Sequence, residues 1–110
     1  MQVRIKIKRK DFMQVFAERF LDLIILKLLS QQPANGYQLV NRIIKIYGFK
    51  TCHSTVYALL ADLNKNNFIS YKLSTRNSKI YKLTAKGQDF LDYSTWSSRQ
   101  VLSKIGILYN

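Results

Sequence analysis

Apolar positions recur along this chain in two periods, and the switches between them lay out the elements. In Gln2–Lys8, Val3, Ile5 and Ile7 alternate with Arg4, Lys6 and Lys8, the period of a strand with one apolar face. Arg9 and Lys10 extend the basic run, so residues 1–10 read as a basic arm or an edge strand. Asp11 is placed to cap a helix running to about Ser30. Phe16, Phe20, Leu23 and Ile24 recur at helical spacing there, and Leu21–Leu29 is apolar nearly all round. Such a helix needs cover on more than one face, which predicts a central position. Gln31–Gly36, with Pro33 and Gly36, is a break, and Asn35 is its candidate N-cap. A helix follows from about Tyr37 to Tyr47, with Val40, Ile43, Ile44 and Tyr47 inward and Gln38, Asn41, Arg42 and Lys45 outward. Gly48 ends it.

The stretch Thr51–Asn66 carries the pattern with the most to say about function. Val56, Leu59, Leu60 and Leu63 fall on one side of a helix, with Ser54, Ala58, Ala61 and Lys65 opposite and Tyr57 and Asp62 on the flanks. A solvated helix face ordinarily carries long charged residues at every turn. A narrow face of alanine and serine suits a helix lying close against something, and the major groove of duplex DNA admits one helix. A short surface helix with a sparse face is the plain alternative. Beyond it, Ile69, Tyr71 and Leu73 alternate with Ser70 and Lys72, and Lys79–Leu83 resumes strand character after the polar Thr75-Arg76-Asn77 tip. These runs predict a β-hairpin. Thr84 then caps a last helix, about Lys86 to Leu108, with Phe90, Tyr93, Val101, Leu102, Ile105 and Leu108 apolar and Gly106 weakening its end. Two short helices joined by a tight turn after a first helix, then a hairpin, make a winged helix-turn-helix: mainly α with a small β-hairpin. The expected layout is a single domain over 1–110, with the winged unit at 11–83 and a terminal helix at 84–110.

Charge sharpens that picture. The formal net charge of the 110 residues is +12, which draws phosphate polymers or anionic membranes. From Leu39 to Lys86 the basic residues are Arg42, Lys45, Lys50, Lys65, Lys72, Arg76, Lys79, Lys82 and Lys86, and Asp62 is the sole acid. A generally soluble basic surface would mix in acids at similar frequency; phosphate binding requires the segregation seen here. No apolar run is long enough to span a bilayer, and no signal peptide is visible. The single cysteine, Cys52, allows no intrachain disulfide and fits a reducing cytoplasm, where a DNA-binding chain would lie with the nucleoid.

Enzyme chemistry finds little footing. The six acidic residues are scattered, the four glycines form no phosphate loop, and His53 is the single histidine, which argues against a zinc site. Cys52 beside His53 has the composition of a nucleophile–base pair, but adjacent side chains rarely aim at one another and no third orienting group is evident. No catalytic residue, metal or cofactor is expected. Position instead assigns His53, Ser54 and Thr55 to the first turn of an inserted helix, where base edges and phosphates are nearest. Lys50 and Lys65 at its ends are phosphate candidates. Tyr57 either reaches a phosphate or packs half-buried. Arg76 and Asn77 at the hairpin tip, flanked by Lys72 and Lys79, suit a minor groove.

The combination of Leu21–Leu29, Pro33-x-x-Gly36-Tyr37-x-Leu39, Ser54-Thr55-Val56-Tyr57-x-x-Leu60-x-x-Leu63 and Tyr81-Lys82-Leu83-Thr84-Ala85-Lys86-Gly87 resembles the PadR-like winged-helix transcriptional regulators, over roughly residues 18–90. The resemblance implies a homodimer whose carboxy-terminal helix, often with the amino-terminal helix, forms the interface, here through Phe20, Phe90, Tyr93, Trp96, Leu102 and Ile105. It implies operator binding, usually repression. Some relatives bind planar aromatic effectors at the dimer centre against a tryptophan of the last helix. Trp96 is thus the one candidate ligand contact, though interface packing is the favoured role for it. Asn64-Lys65-Asn66-Asn67 stands where relatives commonly carry acidic residues, and the terminal helix is short.

Three binding readings follow. The first is a dimeric, sequence-specific regulator of double-stranded DNA whose two recognition helices enter major grooves roughly 34 Å apart. The second is a DNA-organising or partition protein of low sequence specificity on the same fold. The third is an RNA-binding domain, disfavoured because RNA readers expose stacking aromatics while Tyr71 and Tyr81 look inward or paired.

Overall fold

A computed structural model describes residues 20–48 and 50–106. In chain order the elements are α1 (Leu21–Gln31), α2 (Gly36–Tyr47), α3 (His53–Lys65), β1 (Ile69–Leu73), β2 (Lys79–Leu83) and α4 (Ala85–Lys104). The strand expected at Gln2–Lys8 and the cap expected at Asp11 lie outside the described residues, but α1 begins at Leu21 with Phe20 as a non-helical N-cap, so the helix does not run on through Phe20 as the spacing predicts.

The all-round apolarity of α1 is answered by its neighbours. It packs on α2, β2 and α4, which bury Leu21, Ile25, Leu26, Leu28 and Leu29. Asn35 caps α2 with a full capping box. Its Oδ1 accepts from the Gln38 N–H at 2.8 Å, and Gln38 Oε1 accepts from the Asn35 N–H at 2.9 Å. Such a cap contributes about 1 kcal/mol. Gly48 closes α2 in the left-handed region at φ 70°, its N–H donating to the Ile44 carbonyl at 3.0 Å. The inward stripe of α2 differs from the expected one. Gly36, Leu39, Val40 and Ile43 are buried, while Ile44 is 41 % exposed. Both stripes have helical period. α2 is covered along the arc that meets α3, β2 and α1, and that arc is centred one residue earlier.

Helix α3 turns Val56, Leu60 and Leu63 into the core and leaves Ser54, Ala58, Ala61 and Lys65 exposed, the division the wheel predicts. The hairpin is antiparallel, pairing Ile69 with Leu83, Tyr71 with Tyr81 and Leu73 with Lys79. Asn77 supplies the left-handed residue of its tip at φ 58°. The loop after α1 adds to the sheet: Ala34 and Tyr81 exchange both backbone hydrogen bonds, at 3.1 and 2.8 Å, on the free edge of β2. A single bridged residue has no period, so the sequence is silent about it. The apolar face of β1 is also shorter than its alternation implies. Ile69 is buried, but Tyr71 and Leu73 are exposed because the hairpin projects past the core.

The turn from α3 into β1 is tied to the start of α4. Thr84 Oγ1 accepts from the Gly87 N–H at 3.0 Å and donates to the Asn67 carbonyl at 2.7 Å. Lys86 Nζ donates to the Asn66 carbonyl at 2.9 Å and lies over the Phe68 ring. Phe68 in turn stacks on Phe90, centroids 4.5 Å apart. Gly87 and Leu91 are the buried residues of α4. The helix ends at Lys104, short of the expected Leu108, and Gly106 follows at φ 79°.

Candidate nucleic-acid interface

Helix α3 opens on Cys52 as N-cap, and the preceding Lys50 is exposed. His53, Ser54 and Thr55 form its first turn and are exposed. Its unpaired N–H groups and positive dipole end favour phosphate there. The His53 ring stacks on Tyr37 from the start of α2, centroids 5.9 Å apart, a support that the sequence reading missed. The outer side continues through Ala58 and Ala61 to Lys65, all exposed.

Tyr57 takes the half-buried packing position that was one of its two expected roles. It is 46 % exposed, and its ring lies against Gly36 so closely that a Cβ there would sit 2.6 Å from Tyr57 Cζ. The Gly-Tyr pair at the start of α2 thus has a packing reason: the glycine makes room for an α3 tyrosine.

The hairpin divides its lysines between two faces. Side chains alternate along a strand, and Lys79 pairs across from Leu73 on the face that also carries Tyr71 and Tyr81. Its Nζ lies 4.6 Å from the Tyr71 ring centroid. Lys72 and Lys82 belong to the opposite face. Arg76 and Asn77 are exposed at the tip. Facing α3 across a hollow, the first face and the helix enclose a cleft of about 620 Å³. Gly36, Tyr57, Ala61, Asn64, Tyr71, Asn77, Ser78, Lys79 and Tyr81 line it, without an acid among them. Tyr71 and Tyr81 touch as tilted rings with centroids 5.8 Å apart. Burial pushes the Tyr81 phenol above its ordinary pKa, and the neighbouring Tyr57 and Tyr71 push it further. Asn64, Tyr71 and Tyr81 had no part in the sequence reading of the site; the hairpin register was the signal that would have brought the two tyrosines to α3.

Cys52 is exposed, and the Ser54 and Thr55 hydroxyls, 3.4 and 2.8 Å from its Sγ, hold the thiol down at about 7 from the usual 9.0. Since the thiolate is the reactive form, alkylation of Cys52 should rise with pH around a midpoint near that value. A bound duplex should suppress it. Stopped alkylation with mass detection, with and without DNA, measures both; equal rates would place Cys52 outside the covered surface.

At the start of α1 and along α4, Phe20, Tyr93, Trp96 and Ile105 are exposed, and Leu102 is half-buried. Trp96 lines a hollow of about 600 Å³ between α1 and α4 with Phe20, Leu23 and Ile24. Phe90 is partly engaged within its own chain by the stack on Phe68. No described helix is long and apolar enough to cross a membrane. Among the described residues no three His, Cys, Asp or Glu side chains gather into a metal-holding group.

A three-helix unit with a bare-faced third helix, a hairpin beside it and a helix leading away is a winged helix-turn-helix protein. The sequence of the PadR-like transcriptional regulator family matches residues 25–93, and the chain belongs to that family. Solved structures agree. A PadR-like transcription factor from Bacteroides fragilis is 27 % identical with TM-score 0.72, covering 84 % of this chain and 92 % of its own. A PadR-like transcriptional regulator from Bacillus cereus is 26 % identical with TM-score 0.68, covering 83 % and 92 %. PadR of Bacillus subtilis, solved in complex with operator DNA, is 26 % identical with TM-score 0.65 over 70 % of this chain and 47 % of that one. No curated protein matches the sequence. The family is one of transcriptional regulators rather than enzymes.

Proposed function

We propose that this protein is a homodimeric, sequence-specific repressor of transcription that binds double-stranded operator DNA in the cytoplasm, at the nucleoid. The observation that carries the proposal is the exposed small-residue side of α3, with Ser54, Ala58 and Ala61 between Lys50 and Lys65. Nothing on that side keeps the helix backbone away from a groove. His53, Ser54 and Thr55 meet base edges; Lys50, Lys65, Tyr57, Lys72 and Lys79 meet the strands; Arg76 and Asn77 enter the minor groove. That the Bacillus subtilis relative was solved in complex with operator DNA supports operator binding.

The dimer is proposed through α4 and the start of α1. Tyr93 and Trp96, 68 % and 60 % exposed, stand on the same helix as Val101 and Ile105, also exposed. An isolated helix would not leave so many large apolar side chains in water; a second copy covers them, with Phe20, Phe90 and Leu102 joining. Trp96 is assigned to this packing. The operator is then an inverted repeat with half-sites one helical turn apart.

Selection of bound duplexes from a random pool tests the reading. An enriched palindrome supports it. Enrichment of nothing, with tight binding throughout, favours the DNA-organising alternative, for which the density of lysine on the wing speaks. A specific regulator should prefer its site by at least about a thousandfold. Within the site, Ser54→Ala or Thr55→Ala should change which sequence is preferred, while Lys65→Ala should weaken every duplex alike. Fluorescence anisotropy on cognate and scrambled duplexes separates the two patterns.

A further inference from the structure

The core makes little use of the Tyr37 side chain, which is 60 % exposed at the start of α2. Its ring stacks instead on His53, the first residue of α3, with centroids 5.9 Å apart and planes 29° from parallel. Two contacts hold the turn that carries it. The capping box between Asn35 and Gln38 locks the start of α2, and Gly36 is pressed against the Tyr57 ring of α3. The Tyr37 ring is therefore offered to His53 from a fixed backbone. An exposed imidazole on its own samples several rotamers and loses that freedom when it meets a base. A stacked imidazole has lost part of it before binding. The surroundings of His53 are rich in donors. Lys50 stands just before the helix and the N–H groups of the first turn point out of it, while Asp62, the sole acid between Leu39 and Lys86, sits near its far end. In the major groove guanine alone presents two acceptors side by side, N7 and O6, with neither a donor nor a methyl group.

We propose that His53 reads a guanine in each half-site and that Tyr37 is its positioning residue: the phenol ring aims the imidazole and itself touches no base. The proposal rests on the DNA-binding reading above and goes beyond it, because it gives a residue outside the reading helix a part in sequence preference. The ring carries that part, not the hydroxyl.

The experiment uses full-length protein without a histidine tag and the duplex selected above, with each base pair of the half-sites changed in turn and affinity read by anisotropy. His53→Ala should flatten the preference at one guanine of each half-site about tenfold and leave the other positions alone. Tyr37→Leu should flatten the same position a few-fold, and Tyr37→Phe, which keeps the ring, should preserve it. Combining His53→Ala with Tyr37→Leu should be no worse there than His53→Ala, because one residue acts through the other. Both residues are exposed, so the variants fold, and circular dichroism confirms it. His53 is the sole histidine, so its ring protons give one pair of NMR signals. Tyr37→Leu should move them downfield, out of the shielding above the phenol ring, and Tyr37→Phe should not. Equal losses for Tyr37→Phe and Tyr37→Leu would make the hydroxyl the active group and overturn the proposal. So would a Tyr37→Leu loss spread evenly over the site, unmoved His53 signals, or a His53-dependent base other than guanine. A wild type that binds every duplex alike removes the specific-regulator reading and this one together; a site-specific wild type whose preference ignores both residues removes this one alone.

Discussion

Gly87→Ala is expected to lower the thermal unfolding midpoint by roughly 15 °C, corresponding to about 3 kcal/mol. Helix propensity alone predicts the reverse, since alanine is favoured over glycine by about 1 kcal/mol in a helix. The position decides the sign. A Cβ on Gly87 would drive into the Phe68 carbonyl, with Leu83 Cδ1 at 2.8 Å on another side. The first obstacle is backbone, so no rotamer change relieves it, and the clash lies where Thr84, Asn67 and Lys86 tie α4 to the end of α3. Differential scanning calorimetry reads the result; an unchanged or raised midpoint would mean that α4 does not approach Phe68 as described. Gly36→Ala is the contrasting case. Its obstacle is the Tyr57 ring, which can swing outward, so the main loss falls on DNA binding rather than on folding.

Ala58→Glu should abolish most DNA affinity, by at least about a hundredfold, while shifting stability by no more than about 0.5 kcal/mol. Ala58 is exposed in the middle of α3, and glutamate is a good helix former, so the fold has no reason to object. In the proposed complex the same carboxylate meets phosphates at close range and holds the helix off the groove. Both protomers of a dimer suffer this at once. Anisotropy and a thermal melt on one preparation check the two halves of the expectation. Retained affinity would show that the small-residue side of α3 is not what touches DNA.

Much of the architecture is written in local signals. The break at Pro33, the Asn35 cap, the Gly48 stop, the α3 wheel and the Thr84 cap are each set by neighbours a few residues apart, and each is found where the sequence puts it. What went astray depended on partners far along the chain. Ile44 and Leu39 are equally good inward residues until α3 and β2 choose the arc. Leu91 is the large side chain of α4 that enters the core, a choice made by the approach of α1 rather than by the helical period.

The site divides the same way. The basic segregation between Leu39 and Lys86, and the exposed Ser54-Ala58-Ala61 side, follow from composition and period, so the sequence alone pointed to a phosphate-bearing partner. It could not sort Lys79 from Lys72, since both merely flank a turn. That sorting needs the cross-strand register and the side of the hairpin that α3 covers. Local spacing determined the winged helices and the charge they carry. Tertiary contact decided which side chains share a cleft, because strand pairing and helix packing bring together Gly36, Tyr57, Tyr71 and Lys79 from four separate elements or their edges.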